Sequence, residues 1–198
     1  MEGIGLKELE IEFKNMLNYD TYARLRDTLF KNAEAITQTN FYIDTPDHQL
    51  IEQKVSLRIR DIKGRLVMTL KIPQEIGIME YHDDISDALF DHEHITENDI
   101  PDSIKVQLSA YGVDLNQLRI IGALSTERRE TRYQDGLLVL DASHYLDAED
   151  YELEFEVRDY EPGLAQFEQF LIDYQITGQQ TLNKVQRFYS RHNQLISK

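Results

Sequence analysis

The chain has no cysteine, no long apolar run and few basic residues, and each shortage removes a class of function. Without cysteine there are no disulfides and no thiolate chemistry. Nothing approaches the roughly 20 apolar residues a membrane-spanning helix needs, so a soluble protein with no membrane partner is expected. The N-terminus lacks the basic-then-apolar pattern of a secretory signal, which makes a cytoplasmic address the simplest reading. Against 36 Asp and Glu stand only 21 Lys and Arg, a net charge of −15, and a nucleic-acid partner would need a basic face. No Pro-, Gly- or Ser-rich linker and no charge block interrupts residues 1–198, so one domain is the expectation. Phosphate-loop (GxxxxGK[ST]), nucleophile-elbow (GxSxG) and zincin (HExxH) motifs are all missing.

What is present is short alternating runs. In "ELEIEFK", Glu8 to Lys14, Leu9, Ile11 and Phe13 point one way and Glu8, Glu10, Glu12 and Lys14 the other if the stretch is a strand. That strand is read as Glu8 to Met16. A helix is expected from about Asp20 to Ala33, then a strand over Thr39 to Thr45 that stops at Pro46-Asp47. "KVSLRIRD" and "RLVMTLKI" flank the short connection Ile62-Lys63-Gly64, as a hairpin would. Another strand begins near Met79, and Ile95 to Asp114 reads as one or two helices with Pro101 at a helix start. A second hairpin is expected to pivot on Asp135-Gly136, "DYELEFEVRD" is the last strand, and helices cover about Gly163 to Tyr174 and Leu182 to Gln194. Seven or eight strands with about four helices make an α+β fold whose antiparallel sheet is able to close into a barrel.

The charges have a pattern of their own. Glu152, Glu154 and Glu156 in "YELEFEV" repeat the row of Glu8, Glu10 and Glu12, with same-face neighbours roughly 6.5–7 Å apart. Such rows need a counter-charge or open water. Arg58 and Arg60 in "LRIR", Lys71 in "TLKI", Arg128, Arg129 and Arg132 in "TERRETRY" and Asp141 ending "LLVLD" complete the set. With the apolar faces under helices, a closed sheet would have a charged interior, a tunnel rather than a packed core. Paired carboxylates suit a hard cation such as Mg²⁺ or Mn²⁺, and guanidinium forks suit phosphate oxygens. Together they describe a site for a metal-bound polyphosphate. Screening confines the repulsion of an acidic protein for a polyanion to roughly 8–10 Å.

The ordered set "EIEFK", "LRIR", "TLK", "TER", "LVLD", "ELEFE" and "NK" resembles the CYTH family, the triphosphate tunnel metalloenzymes, which include class IV adenylyl cyclases, thiamine triphosphatases and inorganic triphosphatases. The likeness runs from Glu10 to about Arg187 and is greatest to a small single-domain bacterial branch. It implies an eight-stranded antiparallel β-barrel with flanking helices. It also implies catalytic Glu10, Glu12 and Lys14, and metal ligands Glu10, Glu12, Asp141, Glu152 and Glu154, with Glu156 as a further one. Phosphate-binding residues would be Lys14, Arg58, Arg60, Lys71, Arg128, Arg132, Lys184 and Arg187. Of the neighbours Arg128 and Arg129 only one can face the tunnel, and Arg128 fits better because Thr126 precedes it by two.

The activity this implies is metal-dependent hydrolysis of tripolyphosphate or a small organic triphosphate such as thiamine triphosphate or ATP, by a monomer or homodimer. Two alternatives stand beside it: cyclisation of ATP to cyclic AMP, for which no purine pocket is evident, and a non-catalytic nucleotide or polyphosphate sensor. His92 and His94 have metal-ligand HxH spacing, but their acidic surroundings read as a solvated loop, and His144, three residues after Asp141, reads either as reaching the tunnel mouth or as a surface residue.

Overall fold

The alternation of Glu8 to Phe13 lies within strand β1, Leu6–Leu17. The structure is a computed structural model that describes residues 6–86, 95–179 and 181–196; His92 and His94 lie outside the described residues. Seven strands follow: β2 (Ile36–Asp44), β3 (Ser56–Ile62), β4 (Arg65–Pro73), β5 (Ile78–Asp84), β6 (Arg119–Tyr133), β7 (Gly136–Tyr145) and β8 (Ala148–Val157). Hydrogen-bonded neighbours run β1-β5-β4-β3-β2-β6-β7-β8 and the sheet closes into a barrel. Every pairing with a recorded register is antiparallel. The helices are α1 (Tyr19–Asp27), α2 (Gln49–Glu52), α3 (Asp102–Ala110), α4 (Tyr160–Asp173) and α5 (Lys184–Ile196). This is the α+β barrel with flanking helices that the strand order and the family likeness led us to expect. Among the described residues no helix is long and apolar enough to cross a membrane.

Two hairpin turns follow from local chemistry. Ile62 pairs with Arg65, leaving Lys63 and Gly64, with φ of 54° and 86°, as the two-residue loop whose positive φ values suit a twisted hairpin. In the β6–β7 hairpin Tyr133 pairs with Gly136, so the turn residues are Gln134 and Asp135 and not the expected Asp135-Gly136. Gly136 is a strand residue, and its requirement is space: a Cβ there would lie 2.5 Å from Phe155 Cε2 and 2.6 Å from the Glu156 carbonyl oxygen.

Helix α1 ends at Asp27, earlier than its periodicity suggests. The Thr28 hydroxyl donates to the Arg24 carbonyl at 2.6 Å and the Phe30 N–H reaches back to Leu25, so Phe30 arrives in the core by a turn. Short α2, which the sequence did not announce, is organised by buried Asp44, whose carboxylate accepts from the N–H groups of Thr45, Leu50 and Ile51 at 2.8–3.2 Å.

The chain forms two compact units: one takes Gln38–Leu124 with the start of β1 up to Leu9, the other Glu10–Thr37 with Ser125 onward. In the first, Leu57, Ile59, Met68 and Leu70 from the sheet pack with Ile104 and Leu108 of α3. In the second, Leu138, Leu140, Leu153 and Phe155 pack with Leu25 of α1 and Phe167 and Phe170 of α4. Within the strands of each unit the residues between these, one position along, face away from the helices, which in a closed barrel is its inside.

Gly136→Ala will lower stability by about 1–3 kcal/mol, because both close neighbours, an aromatic edge and a strand carbonyl, resist displacement. Urea unfolding of the two proteins checks this, and equal midpoints would show that β7 and β8 separate without cost at this point.

Candidate active site

In the second unit β8 lies between β1 and β7, and its glutamates meet a partner on each side. Glu154 is opposite Lys14, and Glu156 opposite Glu12. Glu152 is opposite Asp141 of β7, and Asp141 is opposite Arg128 of β6. Strand alternation sends all of these to the face away from the core. Asp141, Glu152 and Glu154 are 0–3% exposed, and each offers an oxygen within 4.8 Å of the others'.

Cations surround them. Arg128 donates from Nε and Nη2 to Asp141 at 2.9 and 2.7 Å and from Nη2 to Glu154 at 2.7 Å. Lys14 Nζ lies 2.6 Å from Glu12 and 3.3 Å from Glu154. Lys184 Nζ lies 2.6 Å from Glu152, 2.6 Å from Glu154 and 2.9 Å from Asp141. Arg187 bridges Glu152 and Asp150.

The last two come from the first turn of α5, whose start is fixed by a reciprocal pair. The Asn183 side chain accepts from the Gln186 N–H at 2.9 Å, and the Gln186 side chain from the Asn183 N–H at 3.1 Å. Lys184 is therefore the first residue of the helix, with Arg187 three residues on along the same face.

Proton affinities record the compensation. Burial by itself would raise Glu154, but Lys14, Lys184 and Arg128 hold it well below the usual carboxylate range. Asp141 and Glu152 are lowered as well, against burial, by Arg128 and Lys184 in one case and chiefly by Lys184 in the other. Burial disfavours the charged form of Lys14, yet Glu154, Glu12 and Glu152 push it well above its ordinary value. Glu156 behaves oppositely. Burial, opposed by Arg128 and reinforced by Glu154 and Glu12, pushes it up to about 7.

The first unit carries a separate polar face. Arg58 pairs across the sheet with Thr69, and Lys71 with Ser56; Thr69 is in turn opposite His82, and Lys71 opposite Glu80. Lys71 forms an ion pair with Glu80, a Glu80 carboxylate oxygen lies 3.0 Å from His82 Nε2, and the Thr69 hydroxyl is 3.0 Å from His82 Nδ1. Arg60 donates to Asn40 at 3.1 Å. Arg58 is 8% exposed, its Nε is buried without a hydrogen bond, and among the described residues no carboxylate pairs with its guanidinium.

The structure thus brings Glu12, Lys14, Arg128, Asp141, Glu152, Glu154, Lys184 and Arg187 together in the second unit, with Glu156 at the edge of the group, 3.9 Å from Arg128. Glu10 stands two residues before Glu12 on the same face of β1. Arg58, Arg60 and Lys71 share a face of the first unit. Arg129 pairs with Glu127 instead. Arg132 is exposed and borders a cavity of about 430 Å³ beside the start of α4, outside the group. His144 is a surface residue, its side chain 59% exposed and 3.7 Å from Glu149.

Asp150, Glu80, His82 and Thr69 belong to these networks without having been singled out. Glu80 and His82 alternate with Met79 and Tyr81 in "MEYHD", the same signal that marked the other rows, and Asp150 extends the Glu152 row by one step.

As a donor set, three buried carboxylates with mutually accessible oxygens fit a hard divalent cation, which takes oxygen ligands. The nearby lysines and arginines fit an anion bound with it.

A closed antiparallel barrel carrying this charged cluster defines a class, and comparison with known proteins names it. The CYTH domain family matches residues 8–189, and the chain belongs to that family. It is 36% identical over 192 residues to YjbK of Bacillus subtilis (strain 168), covering 96% of this chain and 99% of YjbK. A crystal structure of the Bacillus halodurans protein bh2851 superposes with a TM-score of 0.85 at 35% identity, over 92% of this chain and 98% of that one. The Hippeastrum protein HpAC1 shares the fold with a TM-score of 0.76 at 21% identity, over 92% and 96%.

The raised Glu156 gives a signature in pH. Its folded value, about 7, exceeds the unfolded carboxyl's roughly 4.3, so its contribution to stability is complete below the unfolded value and is lost as pH rises through 7. In metal-free protein the urea midpoint of Glu156→Gln will therefore climb relative to that of the wild type between pH 5 and pH 8. A constant difference between the two would contradict the assignment.

Proposed function

We propose that the protein is a divalent-metal-dependent triphosphatase acting on inorganic tripolyphosphate or a small organic triphosphate such as thiamine triphosphate or ATP. The observation that carries this reading is the buried trio Asp141, Glu152 and Glu154 held against Lys14, Arg128 and Lys184. Such a group accepts a cation and its anion together, whereas a solvated charged face has no reason to bury three carboxylates. YjbK carries a provisional assignment as a triphosphatase, which supports the same reaction.

In this proposal Asp141, Glu152 and Glu154 hold Mg²⁺ or Mn²⁺, with Glu10, Glu12 and Glu156 as further oxygen donors. The bound ion would neutralise phosphate oxygens and lower the pKa of a coordinated water. Lys14, Arg128, Lys184 and Arg187 then bind phosphate oxygens and stabilise the charge that shifts to the leaving phosphate. Arg58, Arg60 and Lys71 are assigned to phosphate binding too, Arg58 most directly, since a buried guanidinium with no counter-ion among the described residues is made whole by an anionic ligand. Exposed Arg132 is kept as a peripheral phosphate contact.

The Bacillus halodurans relative carries a provisional assignment as an adenylate cyclase, so cyclisation is the reading to separate. It turns ATP into cyclic AMP and pyrophosphate, with the 3′-hydroxyl in place of water.

Release of phosphate, pyrophosphate and cyclic AMP from tripolyphosphate, thiamine triphosphate and ATP, with Mg²⁺, Mn²⁺ or chelator, tests the proposal. The expected result is metal-dependent phosphate release that Glu10→Gln/Glu12→Gln lowers at least about a hundredfold. Cyclic AMP as the main product would establish the cyclase, and triphosphate binding without turnover would establish a sensor. Arg58→Met separates binding from folding. It will weaken triphosphate binding at least about tenfold, while the ligand-free protein unfolds at the same or a higher urea concentration, because the substitution removes a buried charge that has no ionic partner among the described residues. A lower midpoint would mean that Arg58 is structural.

A further inference from the structure

The cations around the acidic trio are not equivalent. Arg128 grips Asp141 and Glu154 from the side, and Lys14 is shared between Glu12 and Glu154. Among the described residues Lys184 alone forms ion pairs with all three carboxylates, at 2.6, 2.6 and 2.9 Å. The ammonium donates hydrogen bonds to Glu152 and Glu154, and its charge also lies against Asp141. The trio encloses space for one cation, and the ammonium of Lys184 fills it. A Mg²⁺ ion would need oxygens at about 2.0–2.1 Å, so ion and ammonium exclude one another.

Removing the ammonium has a cost of its own. Lys184 is 9% exposed and stands at the N-terminus of α5, the end of a helix dipole that favours anions over cations. Displaced from the carboxylates it needs another anion. A phosphate oxygen supplies one, and the four-carbon lysine stem can redirect the head group without moving the helix.

We propose that the Lys184 ammonium occupies the cation position of Asp141, Glu152 and Glu154 in the ligand-free protein and moves to phosphate oxygens when a divalent cation enters, so that metal and triphosphate binding are coupled through this side chain. The inference rests on the metal-triphosphate reading above. Metal alone meets an occupied site, and triphosphate alone meets a lysine already engaged. Both together leave every charge partnered. By linkage the strengthening is mutual: triphosphate tightens metal by the factor by which metal tightens triphosphate.

The test titrates Mn²⁺ into wild type and Lys184→Met, following free Mn²⁺ by electron paramagnetic resonance, with and without a methylene-bridged tripolyphosphate that is not hydrolysed. Without the anion, Lys184→Met will bind Mn²⁺ about tenfold more tightly than the wild type, and the added benefit of the anion will shrink by a similar factor, within the roughly 5–150-fold range of such couplings. Equal Mn²⁺ affinity of wild type and variant without the anion overturns the proposal and leaves the metal-triphosphate reading intact, provided the anion still tightens Mn²⁺. Absence of Mn²⁺ binding in both proteins under both conditions overturns reading and proposal together.

Because Lys184→Met uncovers three buried carboxylates, thermal unfolding accompanies the titration, with Lys184→Gln as a second, more polar variant. Both will melt lower than wild type without metal and will gain more from Mn²⁺ than wild type does, by mass action. A smaller gain than wild type in either variant would count against the proposal.

Discussion

Three carboxylates cannot stay ionised in the interior of a protein unless positive charge is fixed against them. Asp141, Glu152 and Glu154 are almost completely buried, and the arrangement around them follows from that need. Arg128 reaches in from β6, Lys14 from β1, and Lys184 and Arg187 from the first turn of α5. Exchanging such a cluster for apolar side chains often stabilises a protein, while removing one partner is costly. Its presence is therefore an argument for function more than for stability. A site for a polyanion carried with a cation is one of the few that uses both signs of charge at close quarters.

The apolar halves of the same strands make the arrangement possible. Leu153 and Phe155 alternate with Glu152 and Glu154 and fix β8 against α4, where the Phe155 and Phe167 rings lie 6.3 Å apart at an interplanar angle of 12°. Leu138 and Leu140 do the same for β7. A slip of one residue in either strand would exchange the two faces and put the carboxylates in the aromatic core. Register is thus set by hydrophobic packing on one side and used by charge on the other. Gly136 belongs to this description, since its missing side chain lets β7 start hard against Phe155 and Glu156.

Much of this was legible in the sequence, because strand alternation is a local signal. Glu152 and Glu154, Arg58 and Arg60, and Glu10 and Glu12 were all visible as rows, and with Asp141 and Lys184 they stood in an order that resembled one family. What alternation does not reveal is partnership across strands. That Lys14 is shared by Glu12 and Glu154, that Lys184 meets three carboxylates, and that Glu156 faces Glu12 all depend on register and on where α5 begins. Glu80 and His82 lie in β5, a strand whose start alone the sequence marks. The apolar period runs past the end of helix α1 at Asp27, because Leu29 and Phe30 keep it after the backbone has left the helix. Arg132 follows the alternation of Arg128 but lies far enough along β6 to be exposed, and periodicity carries no information about depth.

Arg58 and the acidic trio make an informative contrast. The trio is fully compensated by the protein's own cations, whereas the Arg58 guanidinium has no carboxylate partner among the described residues. The two therefore make different demands on a ligand. Arg58 asks for negative charge, and in the proposed exchange the trio takes a divalent cation only when its resident lysine finds another anion. In the proposed function a metal-bound triphosphate brings charge of both signs, which neither a free cation nor a free anion does. The most direct measurement is phosphorus-31 NMR relaxation of the methylene-bridged triphosphate bound to the protein, with Mg²⁺ and then with a trace of paramagnetic Mn²⁺. The account predicts strong Mn²⁺-induced relaxation of the bound phosphates that excess Mg²⁺ reverses. Bound triphosphate whose relaxation Mn²⁺ leaves unchanged beyond that of the free ligand would contradict it.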